Sequence, residues 1–121
     1  MLSGEIAVLN VTSFVLADGR LDATINSEVV QEILYVLMRR GRREDALKLA
    51  GHLTSLLPDL LAVTRDDMLA ACDLIRRYPG LSVRDALHVG TMLRNGIKTV
   101  VSVDSDFDQV SEIQRMAPDT A

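Results

Sequence analysis

Asp104 and Asp106 stand two residues apart at the end of Thr99-Val100-Val101-Ser102-Val103, a run of mostly β-branched, apolar residues. Such a run reads as a short buried strand. Carboxylates have no place inside it, so they belong at its C-terminal tip, where open α/β sheets bind ligands. Two carboxylates about 4 Å apart repel by roughly 4 kcal/mol at an effective dielectric near 20. A divalent cation turns that repulsion into attraction, and hard oxygen ligands suit Mg²⁺ or Mn²⁺. A solvated turn whose Asp caps the following helix fits the same residues. The choice rests on which other acids the fold brings to this tip.

Two candidates stand out. Asp85 is the third residue after Ser82, a spacing that opens a helix, and either caps that helix or turns toward a site. Glu32 lies one turn inside an earlier helix, beside its apolar stripe, whereas Glu28 has a sufficient role at that helix's positive end. His88 follows Asp85 by three, and a lone histidine is more often a packed residue than a ligand. Arg84 precedes Asp85 and fits either solvent or the edge of the core. Arg39, Arg40, Arg42 and Arg43 form the densest basic run, which suits a solvated helix end or a phosphate-contact patch.

The elements that must position these residues follow from periodicity and punctuation. Asn26 or Ser27 caps a helix running to Arg40, with Val29, Val30, Ile33, Leu34 and Leu37 as its apolar stripe and Gly41 as its stop. A second helix spans Glu44 to Leu57, and Leu60 to Val63 reads as a strand. Thr64 and Asp67 form a capping box for a helix to Tyr78, in which Cys72 falls in the apolar register. Ser82 opens a helix to Asn95, which Gly96 ends. A helical segment from Asp108 to Ile113 and an edge strand at Gln114-Arg115-Met116 complete the chain before a frayed tail from Pro118. At the other end Leu21 to Ile25 is strand-like, while residues 5–16 fit helix or strand equally. Strands alternating with helices predict an α/β fold: a parallel sheet flanked by helices in three layers, its strand tips gathered at one end.

Composition narrows the function. The 121 residues suit a single domain over 1–121, and 48% hydrophobic content is enough for a core. Aromatic residues are 3% with no Trp, so base-stacking platforms are not expected. A net charge of -4 argues against binding through a broad basic surface, leaving a metal and local arginines to do that work. Lone Cys72 allows no internal disulfide, and no apolar run approaches a membrane span, so a cytoplasmic protein is expected. A strand ending in Asp-x-Asp also resembles the haloacid-dehalogenase phosphatase signature. That fold needs most of its domain after the motif, and only fifteen residues follow Asp106.

Three stretches taken in series, Ser27-Glu28-Val29-Val30-Gln31-Glu32-Ile33-Leu34, Leu81-Ser82-Val83-Arg84-Asp85-Ala86-Leu87-His88 and Val100-Val101-Ser102-Val103-Asp104-Ser105-Asp106-Phe107-Asp108, resemble PIN-domain proteins. The resemblance is to VapC-type ribonuclease toxins of bacterial toxin–antitoxin pairs, and it covers about Ala17 to Pro118. It implies metal-dependent cleavage of RNA, a cognate antitoxin as partner and a homodimer. By position it implies Glu32, Asp85 and Asp104 as catalytic carboxylates, joined by Asp106 in holding Mg²⁺ or Mn²⁺. The family opens with a strand of the type hydrophobic-Asp-Thr-Asn, and here residues 5–16 match better to the helix that follows it. A strained alternative makes Ile6 to Val11 the strand, with Asn10 at the aspartate position.

The first central strand is therefore expected to be missing from an N-terminally truncated chain. Losing about five buried apolar side chains at 1.5–3 kcal/mol each costs roughly 10 kcal/mol, comparable with a domain's whole stability. The gap is expected to be filled by the N-terminal segment or by a partner's strand. Two functions follow: a PIN-type endoribonuclease, or a catalytically incomplete PIN-like domain that binds an antitoxin or dimerises.

Overall fold

The computed structural model describes residues 6–8, 23–57 and 60–117. Its core is a four-stranded parallel sheet in the order β2-β1-β3-β4. The strands are β1 (Ile6–Val8), β2 (Ala23–Thr24), β3 (Thr99–Val101) and β4 (Gln114–Met116). Among the described residues, four helices cover it: α1 (Ser27–Arg39), α2 (Arg43–Leu56), α3 (Arg65–Arg77) and α4 (Val83–Arg94).

The central strand is present, which corrects the expectation that it is missing. Ile6 pairs with Ala23 on one side and Thr99 on the other, and Val8 pairs with Val101. The chain's own N-terminal segment fills the gap. The physical reason is that a strand between two parallel neighbours satisfies its backbone groups on both edges, whatever its local periodicity. The remainder of the ambiguous 5–16 stretch, Asn10 included, lies outside the described residues, as do Leu21, Asp22 and the tail from Pro118.

Successive residues of β3 divide the core between two faces. Val100 packs with Ala71, Leu74, Ala86, Val89, Met92 and Phe107 under α3 and α4. Val101 packs with Ile25, Val29 and Leu57 under α1 and α2. This alternation is the period-two geometry of a strand buried on both sides, and it makes the fold three-layered.

Helices α1, α3 and α4 start at side-chain caps, whereas α2 starts without one. Asn26 accepts the Val29 N–H at 3.1 Å, and Thr64 and Asp67 form the complete reciprocal box. Other elements differ from expectation. Leu60 to Val63 supplies a bridge between Leu61 and Asn26 rather than a strand. The helical turn near the C-terminus is a 3₁₀ segment at Ser105–Gln109, not 108–113, because Phe107 buries beneath it. Cys72 is exposed. The buried face of α3 runs Asp67, Ala71, Leu74, and Asp67 can lie there because Arg94 and Thr91 bond its carboxylate.

Candidate functional site

The tip of β3 is built by the residues that leave it. Ser102 Oγ accepts the Asp104 N–H at 3.0 Å, and Asp104 Oδ1 accepts the Asp106 N–H at 2.9 Å. Phe107, 1% exposed, then anchors the 3₁₀ turn in the core and leaves Asp106 outside. Arg115 of β4 holds the turn from the far side. Its Nε and Nη2 donate to the two oxygens of Asp108 at 2.8 and 3.1 Å, and its Nη1 donates to the Ser102 carbonyl at 3.2 Å. The backbone carrying both aspartates is thus fixed at both ends.

Helix α4 brings the third acid. Ser82 Oγ caps its first turn by accepting the Asp85 N–H at 3.1 Å. The Asp85 carboxyl is therefore not needed as the cap, and it lies buried against Asp104. Burial and the adjacent Asp104 carboxyl push Asp85 up to about 6, against the opposing pull of Ser82 and Arg84. One oxygen from each of Asp85, Asp104 and Asp106 lies within 4.8 Å of the others. Opposite oxygens around an Mg²⁺-sized ion are about 4.2 Å apart, so slight side-chain rotation lets all three share one. Three hard oxygens, two of them already in mutual repulsion, are a donor set that fits such a cation.

A PIN-domain model matches residues 3–113. The chain belongs to the PIN-domain family. It is 34% identical over 92 residues to Ribonuclease VapC13 of Mycobacterium tuberculosis, spanning 76% of this chain and 70% of that protein. It is 31% identical over 112 residues to Ribonuclease VapC7 of the same organism, spanning 88% and 74%. Among solved structures, VapBC-1 of nontypeable Haemophilus influenzae superposes with a TM-score of 0.72 at 10% identity, over 94% of this chain and 97% of that one. VapBC2 of Rickettsia felis, bound to a fragment of promoter DNA, gives 0.70 at 14% identity, over 93% and 98%. At these identities the structural likeness is one of fold.

The other expected residues of this PIN domain are placed less simply. Glu32 is not among the three acids within ligand distance; its Oε1 accepts from Arg84 Nη1 at 3.1 Å, across from α1 to α4. His88 is buried, and its Nδ1 meets Asn26 Nδ2 at 2.8 Å. Burial, with the Arg84 charge nearby, lowers it to about 4, so it is a neutral hydrogen-bond acceptor and a packing residue.

The basic run sits at the turn between α1 and α2, seven residues beyond Glu32 and so about 10 Å further along the helix axis. There Arg39 bonds Tyr35 and Arg42 pairs with Asp45, while Arg40 and Arg43 are exposed. Residue spacing gives Asn26 its cap but not its bond to His88, nor the roles of Arg84 and Arg115. Each spans two elements, and only an unexplained polar residue beside an apolar stripe hints at them.

Proposed function

We propose that this PIN domain is a metal-dependent endoribonuclease of the VapC toxin type, cutting RNA phosphodiester bonds. The observation that carries the reading is the meeting of Asp85 and Asp104, from different elements, with Asp106 in ligand reach. That its relatives are named ribonucleases supports the choice of substrate. Glu32, Asp85 and Asp104 are the proposed catalytic carboxylates, and together with Asp106 they would hold Mg²⁺ or Mn²⁺. A bound cation there supplies an activated water and offsets charge that develops on the phosphate.

The chain's own residues prepare that chemistry. Ser102 and Arg115 hold the backbone that carries Asp104 and Asp106, which reduces the ordering left for the moment of reaction. Burial and the Asp104 carboxyl raise the affinity of Asp85 for a proton, and a cation bound between the two would favour both carboxylates in their charged form. With an overall charge of -4, contact with RNA falls to local guanidinium groups, and Arg39, Arg40, Arg42 and Arg43 form the proposed outer phosphate contacts. The fold's likeness to VapBC proteins supports an antitoxin as partner, and family analogy supports a homodimer.

Incubation of the pure protein with RNA tests the reading. Cleavage is expected with Mg²⁺ or Mn²⁺, and it disappears with EDTA and in Asp104→Asn. Folded protein that leaves RNA intact under all these conditions overturns it.

A further inference from the structure

Two guanidinium groups border the acidic centre, and they are held in opposite ways. Arg115 is 21% exposed and is clamped between both oxygens of Asp108 and the Ser102 carbonyl. Arg84 is 58% exposed and is held through one nitrogen on one oxygen of Glu32. An exposed pair of that kind is weak, because solvent screens it and two flexible side chains must be ordered to make it. Glu32 therefore exchanges partners easily. Arg84 adjoins Asp85 in the chain, and its charge acts on both Asp85 and His88. A divalent cation at Asp85, Asp104 and Asp106 would meet Arg84 as a like charge.

We propose that Arg84 is the exchangeable counter-charge of this centre: it yields Glu32 to a divalent cation and then takes a phosphate oxygen of the RNA. This rests on the ribonuclease reading above. The planar guanidinium matches a phosphate as well as it matches a carboxylate, so one side chain can serve both partners in turn. Glu32 and Arg84 approach from α1 and α4, so the exchange also couples the two helical layers to occupation of the site. The two halves of the role have opposite signs. Removing Arg84 strengthens cation binding and weakens RNA binding, whereas a merely structural residue would weaken both.

Mn²⁺ titration calorimetry on wild type, Arg84→Ala and Arg84→Lys tests the first half. Arg84→Ala is expected to bind Mn²⁺ about three- to ten-fold more tightly, with Arg84→Lys near wild type. Unchanged or weaker binding in Arg84→Ala overturns the proposal. For the second half, a short phosphorothioate single-stranded RNA, charged but resistant to cleavage, is bound in Mn²⁺ at increasing KCl. Losing one phosphate contact makes the slope of log K against log[KCl] shallower by about 0.7. An equal slope in Arg84→Ala overturns the phosphate role. Melting curves near wild type exclude misfolding of the variant. Wild-type protein that binds no Mn²⁺ overturns the ribonuclease reading along with this one, whereas wild-type binding with an unresponsive Arg84→Ala overturns this one alone.

Discussion

Asn26 Nδ2 lies 2.8 Å from His88 Nδ1, which joins the cap of the helix carrying Glu32 to the helix carrying Asp85. The same Asn26 accepts the Val29 N–H through Oδ1, so its amide is oriented from both sides. His88 must be the acceptor, which keeps its ring neutral.

This has a pH consequence. His88 is lowered to about 4 in the fold against about 6.5 in the unfolded chain. The unfolded state binds the extra proton between those values, so this contribution is full above pH 6.5 and is lost as pH falls toward 4. Asp85 acts in the reverse direction, because its raised value favours the fold at low pH and that gain is lost as pH rises through about 6. In EDTA the two are expected to offset each other between pH 4 and 6. Asp85→Asn unmasks the His88 slope, with stability falling on acidification by an amount on the order of 3 kcal/mol. Urea denaturation across that range measures it, and a flat profile in Asp85→Asn would refute the assignment.

A cation that binds only the folded centre must raise the melting temperature. At 100 times its dissociation constant the gain is about 2.7 kcal/mol. Calorimetric scans with increasing Mg²⁺ or Mn²⁺ are expected to show the rise in wild type and most of it gone in Asp85→Asn and Asp104→Asn. The Asp106→Asn loss is smaller, since that carboxylate is exposed.

Gly90 permits α3 and α4 to touch. A Cβ there would stand 2.9 Å from the Asp67 carbonyl oxygen and 3.3 Å from the Ala70 Cβ. Backbone cannot give way as a side-chain tip can, so Gly90→Ala is expected to cost about 1–3 kcal/mol despite its better helix propensity. Denaturant midpoints check this, and a stabilised variant would contradict the contact.

Asp67 is fully buried and accepts from Arg94, Thr91 and the Thr64 backbone. Burial alone would raise it, but the Arg94 bond, the Thr64 bond and the Thr91 bond together hold it below the ordinary carboxylate range. Its stabilising contribution is therefore full above the unfolded value near 4 and lost as pH falls below it. Asp67→Ala leaves Arg94 without its partner and α3 without its reciprocal cap, at a cost of about 3 kcal/mol. Equilibrium unfolding at pH 7 tests that figure, and a loss under about 1 kcal/mol would mean the network is redundant.

Local signals located the helices well, because a cap is decided within four residues. Asn26, Thr64 with Asp67, and Ser82 each start the helix expected of them. Cys72 failed for a related reason. The buried face of α3 instead runs Asp67, Ala71 and Leu74, and the cation that lets Asp67 lie on it is 27 residues away at Arg94.

The sequence by itself determined the α/β class, the acids and their order along the chain, since apolar periodicity and capping chemistry are local. The tertiary structure decided which of those acids meet. It drew Asp85, Asp104 and Asp106 together and gave Glu32 to Arg84, because such contacts depend on helix packing across the sheet. It also decided that Ile6–Val8 is a strand. Three residues carry no periodicity strong enough to choose, and the choice was made by backbone partners on both sides, one from Ala23–Thr24 and one from Thr99–Val101.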